Sequence, residues 1–314
     1  MIEVKDLTKR YGKHVVVDHL SFQVEKGRIY GFLGPNGAGK STTMNMMTGY
    51  LASTEGRIIV NGHDMFEEPE EAKRCIGYLP EIPPLYPDMT VREYLQFVAE
   101  LKKVPKKERA DQIDDVMEKT RISDMENRLI KHLSKGYKQR VGFAQALLGY
   151  PPVLILDEPM AGLDPKQITE IRDLIKELGE EHTIFLSSHI LSEVSSVCDH
   201  VLILSHGKLM ASDTPENLAQ KLAGEGKQEL TIRGTAEEIE KAMELLKELP
   251  DLEIHQTAAS LEDVFLELTS DNAKAVSDDV DGMEADGDPE GETGLKAEIE
   301  AEPETEVDEH AGDL

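Results

Sequence analysis

The chain has 314 residues, 62 of them Asp or Glu against 34 Lys or Arg, for a formal net charge of −28. A surplus of that size repels phosphate backbones and anionic lipid, so neither nucleic acid nor an anionic lipid surface is an expected direct partner. The longest uncharged run, Val141 to Leu156, has 16 residues broken by Pro151-Pro152, short of the ~20 that span a bilayer; no signal-like segment opens the chain, and Cys75 and Cys198 lack metal-ligand spacing.

From the start to about residue 80, apolar strands alternate with one glycine-rich turn. Ile29 to Leu33 reads as a strand, and Gly34-Pro35-Asn36-Gly37-Ala38-Gly39-Lys40-Ser41 follows it, filling the pattern GxxxxGK[ST] without mismatch. Glycines in such a turn let successive N–H groups point at oxygens that a side chain would block. Lys40 adds a point charge for outer phosphates, Ser41 a hydroxyl for Mg²⁺ and Thr42 a second hydroxyl, while the following helix aims its positive end at the same anion. A nucleotide is the expected ligand. Ile58-Ile59-Val60 before Asn61-Gly62 reads as a strand entering a tight turn.

After Ile76-Gly77-Tyr78-Leu79-Pro80-Glu81 the pattern turns helical from about Pro83 to Tyr150. Thr90 opens a helix with Val91, Leu95, Val98 and Leu101 on one face. Leu85, Tyr86 and Met89, beside three prolines, either dock a partner or pack inside this lobe. Ser134, in Leu133-Ser134-Lys135-Gly136-Tyr137, reads as a helix cap whose free N–H groups suit a phosphate, and Lys138-Gln139-Arg140 follow. Val153-Leu154-Ile155-Leu156 then reads as a buried parallel strand ending in Asp157-Glu158. Strand ends are where open α/β sheets hold ligands, so Asp157 is placed to hold Mg²⁺ and Glu158 to polarise a water that attacks the γ-phosphate. Thr183 to Ser187 and His200 to Leu204 add strands, with His189 just past the first, and Gly207 to Met210 closes a hairpin.

Beyond Leu222 a linker-like Gly224-Glu225-Gly226 leads to a strand at Glu229 to Arg233, an amphipathic helix at Ala236 to Leu249 and a strand at Leu252 to Gln256, a small α/β appendage. From Asp271 to Leu314 there are seventeen acidic residues and two lysines with no aromatic residue, so about half of the charge surplus sits where too little apolar surface exists to offset the entropy of ordering. Disorder is expected there, as a solvated solubility segment.

At Leu133 to Tyr137, shortly before the acidic strand end, the chain resembles the ATP-binding cassette (ABC) family, whose signature reads LSGGQ. The resemblance covers residues 1 to about 222 and implies an α/β fold, a P-loop NTPase core with an antiparallel β subdomain and a helical subdomain at about 83–150. The expected division is therefore 1–222 as the nucleotide-binding domain, 227–270 as the small C-terminal α/β domain and 271–314 as the acidic tail. The resemblance implies that Gly34, Asn36, Gly37, Ala38, Gly39, Lys40, Ser41 and Thr42 bind nucleotide, and that Tyr11 stacks on adenine, an exposed hairpin tyrosine being the alternative. It further implies that His189 contacts the γ-phosphate, that Ala161-Gly162-Leu163-Asp164 forms a dimer loop, and that Ser134, Lys135, Gly136 and Tyr137 meet the ATP of a facing subunit. Two departures stand out. Glu81 occupies the place of a family glutamine, keeping an oxygen for Mg²⁺ beside Ser41 and Asp157 while adding a charge, and Lys135 and Tyr137 replace a glycine and a glutamine.

These departures, with Leu133 to Arg140 and the ending Leu261-Glu262-Asp263-Val264-Phe265, resemble a bacterial branch that pairs with ABC-2-type permeases, the gliding-motility-associated type included. The implied function is an ATP-hydrolysing subunit that binds ATP and Mg²⁺, dimerises on ATP as a homodimer or pseudo-dimer, and drives a permease from the inner face of the cell membrane. The alternatives are a soluble non-transport cassette ATPase, which commonly carries two cassettes and basic contacts, and a phosphotransferase, which needs neither Leu133 to Tyr137 nor a dimer loop.

Overall fold

A computed structural model describes residues 1–222 together with the isolated positions 235, 239 and 241. By compactness the chain divides into Met1–Ala258 and Ala259–Leu314, and every element described belongs to the first unit. Those three positions apart, the α/β appendage expected at 227–270 and the tail at 271–314 lie outside the described residues.

In chain order the elements are β1 (Ile2–Tyr11), β2 (His14–Val24), β3 (Ile29–Leu33), α1 (Lys40–Met47), β4 (Glu55–Val60), β5 (His63–Asp64), α2 (Pro69–Arg74) and β6 (Ile76–Leu79). Three longer helices follow, α3 (Val91–Leu101), α4 (Arg109–Lys119) and α5 (Lys135–Leu147), then β7 (Val153–Leu156), α6 (Pro165–Gly179), β8 (Thr183–Ser188), α7 (Leu191–Ser195), β9 (His200–Ser205), β10 (Lys208–Asp213) and α8 (Pro215–Leu222).

The strands form two sheets. The smaller, ordered β2-β1-β4-β5, is antiparallel throughout, and its hairpins turn on Gly12 (φ 59°) and on Asn61-Gly62 (φ 51° and 93°), the left-handed pair that a two-residue hairpin requires. The larger is ordered β10-β9-β3-β8-β7-β6, parallel from β9 to β6 with β10 antiparallel at its edge.

β7 explains why the parallel strands read as unbroken apolar runs. Val153 and Ile155 face a core shared with β1, β2 and α1, whereas Leu154 and Leu156 face a second core built with α3 to α6, so all four side chains are buried. In the first core the Phe22 and Phe185 rings stack with centroids 5.6 Å apart, joining the two sheets.

The helical lobe begins where its cap predicts. Thr90 accepts from the Glu93 N–H while Glu93 accepts from the Thr90 N–H, a complete capping box that fixes the entry of α3. Leu85 and Met89 pack against the core of this lobe, whereas Tyr86 stays about half exposed, edge-on to Phe97.

The topology sets the site. In the sheet register Leu33 of β3 pairs with Ser188 of β8, and Leu156 of β7 with Leu186 of β8, so Gly34, Asp157 and His189 emerge side by side beyond neighbouring carboxyl ends. That is the edge at which parallel sheets bind ligands.

Candidate nucleotide site

The turn after β3 fits a phosphate because of what its glycines leave empty. A Cβ on Gly34 would stand 2.4 Å from the Leu204 carbonyl oxygen, and one on Gly39 would stand 2.9 Å from that of Val16, so the loop is pressed against backbone on both sides. Gly37 and Gly39 have φ of 81° and 104°, which a side chain would resist. Gly39 caps α1 without a side-chain bond, leaving the first N–H groups of that helix for an anion.

Lys40 is buried to 6% exposure, and its Nζ donates to the Gly34 carbonyl at 2.7 Å and stands 3.7 Å from Glu158 Oε1. A buried ammonium held on carbonyl oxygens of its own loop is poised for a stronger, anionic acceptor. The cleft above it, about 280 Å³, is lined by Val16, Pro35, Asn36, Gly37, Gly39, Lys40, Ser41 and Thr42 on one side and Glu81, Glu158, Ala161 and His189 on the other. Gly34, Ala38 and Asp157 are buried and do not line it.

Three acidic groups converge here. Asp157 is 6% exposed, and burial, reinforced by the charges of Glu158 and Glu81, pushes its carboxyl above the usual range, against the opposing effect of Ser187 and Lys40. The oxygens of Glu81, Asp157 and Ser41 are of the hard kind a divalent cation takes, but among the described residues no three acidic, histidine or cysteine side chains are grouped closely enough to hold a metal ion by themselves. The Ser187 hydroxyl, fully buried, donates to Asp157 Oδ1 at 2.6 Å and accepts from the Glu158 N–H at 2.9 Å.

Glu158 sits at φ 46°, in the left-handed region that a glutamate seldom adopts. Its Oε2 lies 2.9 Å from His189 Nδ1. The carboxylate only accepts, so this hydrogen bond needs a proton on Nδ1, and Nε2 is the ring nitrogen left for another partner.

The remaining expected residues are not in this cleft. Tyr11 ends β1 at 53% exposure with the Lys9 ammonium 5.2 Å from its ring centroid. Ser134 caps α5 by accepting from the Tyr137 N–H at 3.3 Å, and Tyr137 Oη donates to Asp124 Oδ2 at 3.3 Å. Lys135 Nζ lies over Gly162, Gly136 abuts the Gln167 side chain, and Asp164 caps α6 by accepting from the Gln167 N–H at 2.9 Å. None of residues 134 to 137, nor Asp164 or Tyr11, lines the cleft.

Sequence reading did not single out Ser187, Val16 or Gln139. A serine at a strand end and a valine carbonyl carry no local signal. Gln139, inside an apolar helix at 5% exposure, carried one that was readable, since a buried amide must find a partner.

A parallel sheet with a phosphate loop after β3 and an acid pair after β7 defines a P-loop nucleoside triphosphatase. Residues 17–161 match the model of the ABC transporter family. The chain is 46% identical over 212 residues to the bacitracin transport ATP-binding protein BcrA of Bacillus licheniformis, covering 67% of this chain and 68% of that protein. It is 34% identical over 257 residues to the linearmycin resistance ATP-binding protein LnrL of Bacillus subtilis, covering 82% and 83%. A solved ATP-binding subunit of an ABC transporter is similar with a TM-score of 0.65 and 32% identity, over 73% of this chain and 95% of that one. The chain belongs to the ABC transporter family, as an ATP-binding, ATP-hydrolysing transport subunit. A soluble non-transport ATPase is not favoured by these relatives. Among the described residues no helix is long and apolar enough to cross a membrane.

Proposed function

We propose that this ATPase works as an ATP-dependent dimer, of two copies or of one copy with a related subunit, bound at the cytoplasmic face of the membrane to an ABC-2-type permease. The observation that carries the dimer is the cleft itself. It gathers the phosphate loop, Glu158 and His189, yet Ser134, Lys135, Gly136 and Tyr137 all lie outside it, which supports their serving a cleft on another chain. The permease type is supported by the Ser134-Lys135-Gly136-Tyr137 signature and by Glu81. The names of BcrA and LnrL support export of an antibiotic-like compound as the transported class. The proposal keeps residues 1–222 as the ATPase domain, with 227–270 and 271–314 as appendage and tail.

In this reading ATP seats its phosphates on the N–H groups of Gly37 to Thr42, and Lys40 exchanges the Gly34 carbonyl for phosphate oxygen. Tyr11 stacks on the adenine. Ser41, Asp157 and Glu81 would hold Mg²⁺, which when bound neutralises phosphate charge. Glu158 takes the proton of the attacking water, and His189, held through Nδ1, meets the γ-phosphate by donating an Nε2–H, both ring nitrogens then carrying protons. Ser134 to Tyr137 and the loop ending at Asp164 complete the site from the facing subunit, so loss of the γ-phosphate reopens the interface and moves the permease.

Glu158→Gln tests this reading, because the amide keeps the shape and removes the base. ATP should still bind, turnover should fall at least a hundredfold, about 2.7 kcal/mol of barrier, and an ATP-dependent dimer should accumulate on size exclusion. A monomer with wild-type turnover refutes the assignment of Glu158.

A further inference from the structure

The first turns of α5 are fastened to the segment that follows β7. Lys135 Nζ lies 2.2 Å from where a Cβ on Gly162 would stand, Arg140 Nη2 pairs with Glu170 Oε2 at 2.6 Å, and Gln139 Nε2 donates to the Pro159 carbonyl at 3.0 Å. Of the three, only Gln139 reaches a residue next to Glu158. A carbonyl only accepts, so the amide must present its nitrogen, and at 5% exposure water is no substitute for it.

The turn it holds is strained, with Glu158 at φ 46°. Such a conformation persists only where the surroundings over-determine it. Here the turn is pinned on both sides, by the Glu158 N–H on Ser187 Oγ and by the Pro159 carbonyl on Gln139. With either pin removed, the carboxylate relaxes away from Lys40 and His189.

We propose that Gln139 is a positioning residue for Glu158. Resting on the reading that the start of α5 meets ATP held by a second copy, we further assign it the coupling of the two ATP sites. Gln139 lies five residues, ~7.5 Å along a rigid helix, from Ser134. A shift of the helix end on the partner's ATP therefore displaces the Pro159 carbonyl, and with it the base that serves this subunit's own ATP. Each subunit's Glu158 is set by the occupancy of the opposite site.

The test is Gln139→Met, close in length and without a donor, in the full chain. We expect kcat to fall on the order of tenfold to a hundredfold, with KM and fluorescent-ATP affinity within twofold of wild type, and the cooperativity of turnover in ATP to disappear. In the Glu158→Gln background the same substitution should leave the ATP-dependent dimer intact. If Glu158→Gln alone forms no such dimer, the dimer reading and the coupling fail while the kcat result still decides the positioning role. A kcat within twofold of wild type overturns the proposal, as does a loss of kcat matched by an equal loss of nucleotide affinity. Should Gln139→Met not fold, Gln139→Glu, which sets a carboxylate against the carbonyl, is read the same way; failure of both to fold makes the bond purely structural and also overturns it.

Discussion

Replacing Ser187 by alanine removes one oxygen that serves two partners, the side-chain Asp157 Oδ1 at 2.6 Å and the backbone Glu158 N–H at 2.9 Å, from a position with no solvent exposure. A hydrogen bond to a charged group contributes about 1.5–3 kcal/mol, and a buried donor left without an acceptor costs about 1–3 kcal/mol. The two are not additive, because both groups shift together, so the expected loss is about 3 kcal/mol. For a core of this size that lowers the unfolding midpoint by about 6–12 °C. Turnover should fall with it, since the same oxygen fixes the acid pair. The measurement is thermal unfolding followed by circular dichroism, paired with steady-state ATPase assays on the same preparations. Ser195→Ala is the control, because among the described residues that exposed hydroxyl bonds just the Ser192 carbonyl of its own helix at 3.3 Å, and its change should stay within ~0.5 kcal/mol. A Ser187→Ala protein that melts within 2 °C of wild type and turns over ATP normally refutes the account of the acid pair given above.

Two further outcomes follow from single side chains. Lys102 donates to the Ala146 and Leu148 carbonyls at 2.9 Å each, and burial lowers its pKa to about 8 from 10.5. Between those values the unfolded chain binds more protons than the folded one, so stability should rise with pH from about 8 to 10.5, by only part of the full shift because the residue as a whole is solvent-exposed. Chemical denaturation at pH 7.5 and 10 should show wild type gaining on Lys102→Met across that window, and a constant gap would refute the lowered pKa of the Lys102 ammonium. Tyr11→Ala should weaken ATP binding by about 1 kcal/mol or more, near fivefold, in an isothermal titration if the ring stacks on adenine. Unchanged affinity would leave Tyr11 as an exposed hairpin residue, consistent with its 53% exposure.

What the sequence made legible was local. The phosphate loop needs its glycines and lysine in one short run, the capping of α3 by Thr90 and of α5 by Ser134 depends on residues three apart, and β7 shows its two-faced burial as four apolar residues in succession. What stayed hidden was set by distance along the chain. Ser187 meets Asp157 across thirty residues, Gln139 meets Pro159 across twenty, and Glu158 takes a positive φ that the preference of a glutamate does not foretell. Leu85, Tyr86 and Met89 could not be divided by composition, because all three are apolar beside prolines; packing divides them, taking two inward and leaving Tyr86 half exposed. Asp164 is a different case. An Asp before Pro165 is a legible helix cap, and the structure uses it as one, bonding the Gln167 N–H. A side chain already committed to capping α6 presents its loop in a fixed attitude, so the same bond that satisfies the helix within one subunit is what would hold Ala161 to Asp164 ready for a second.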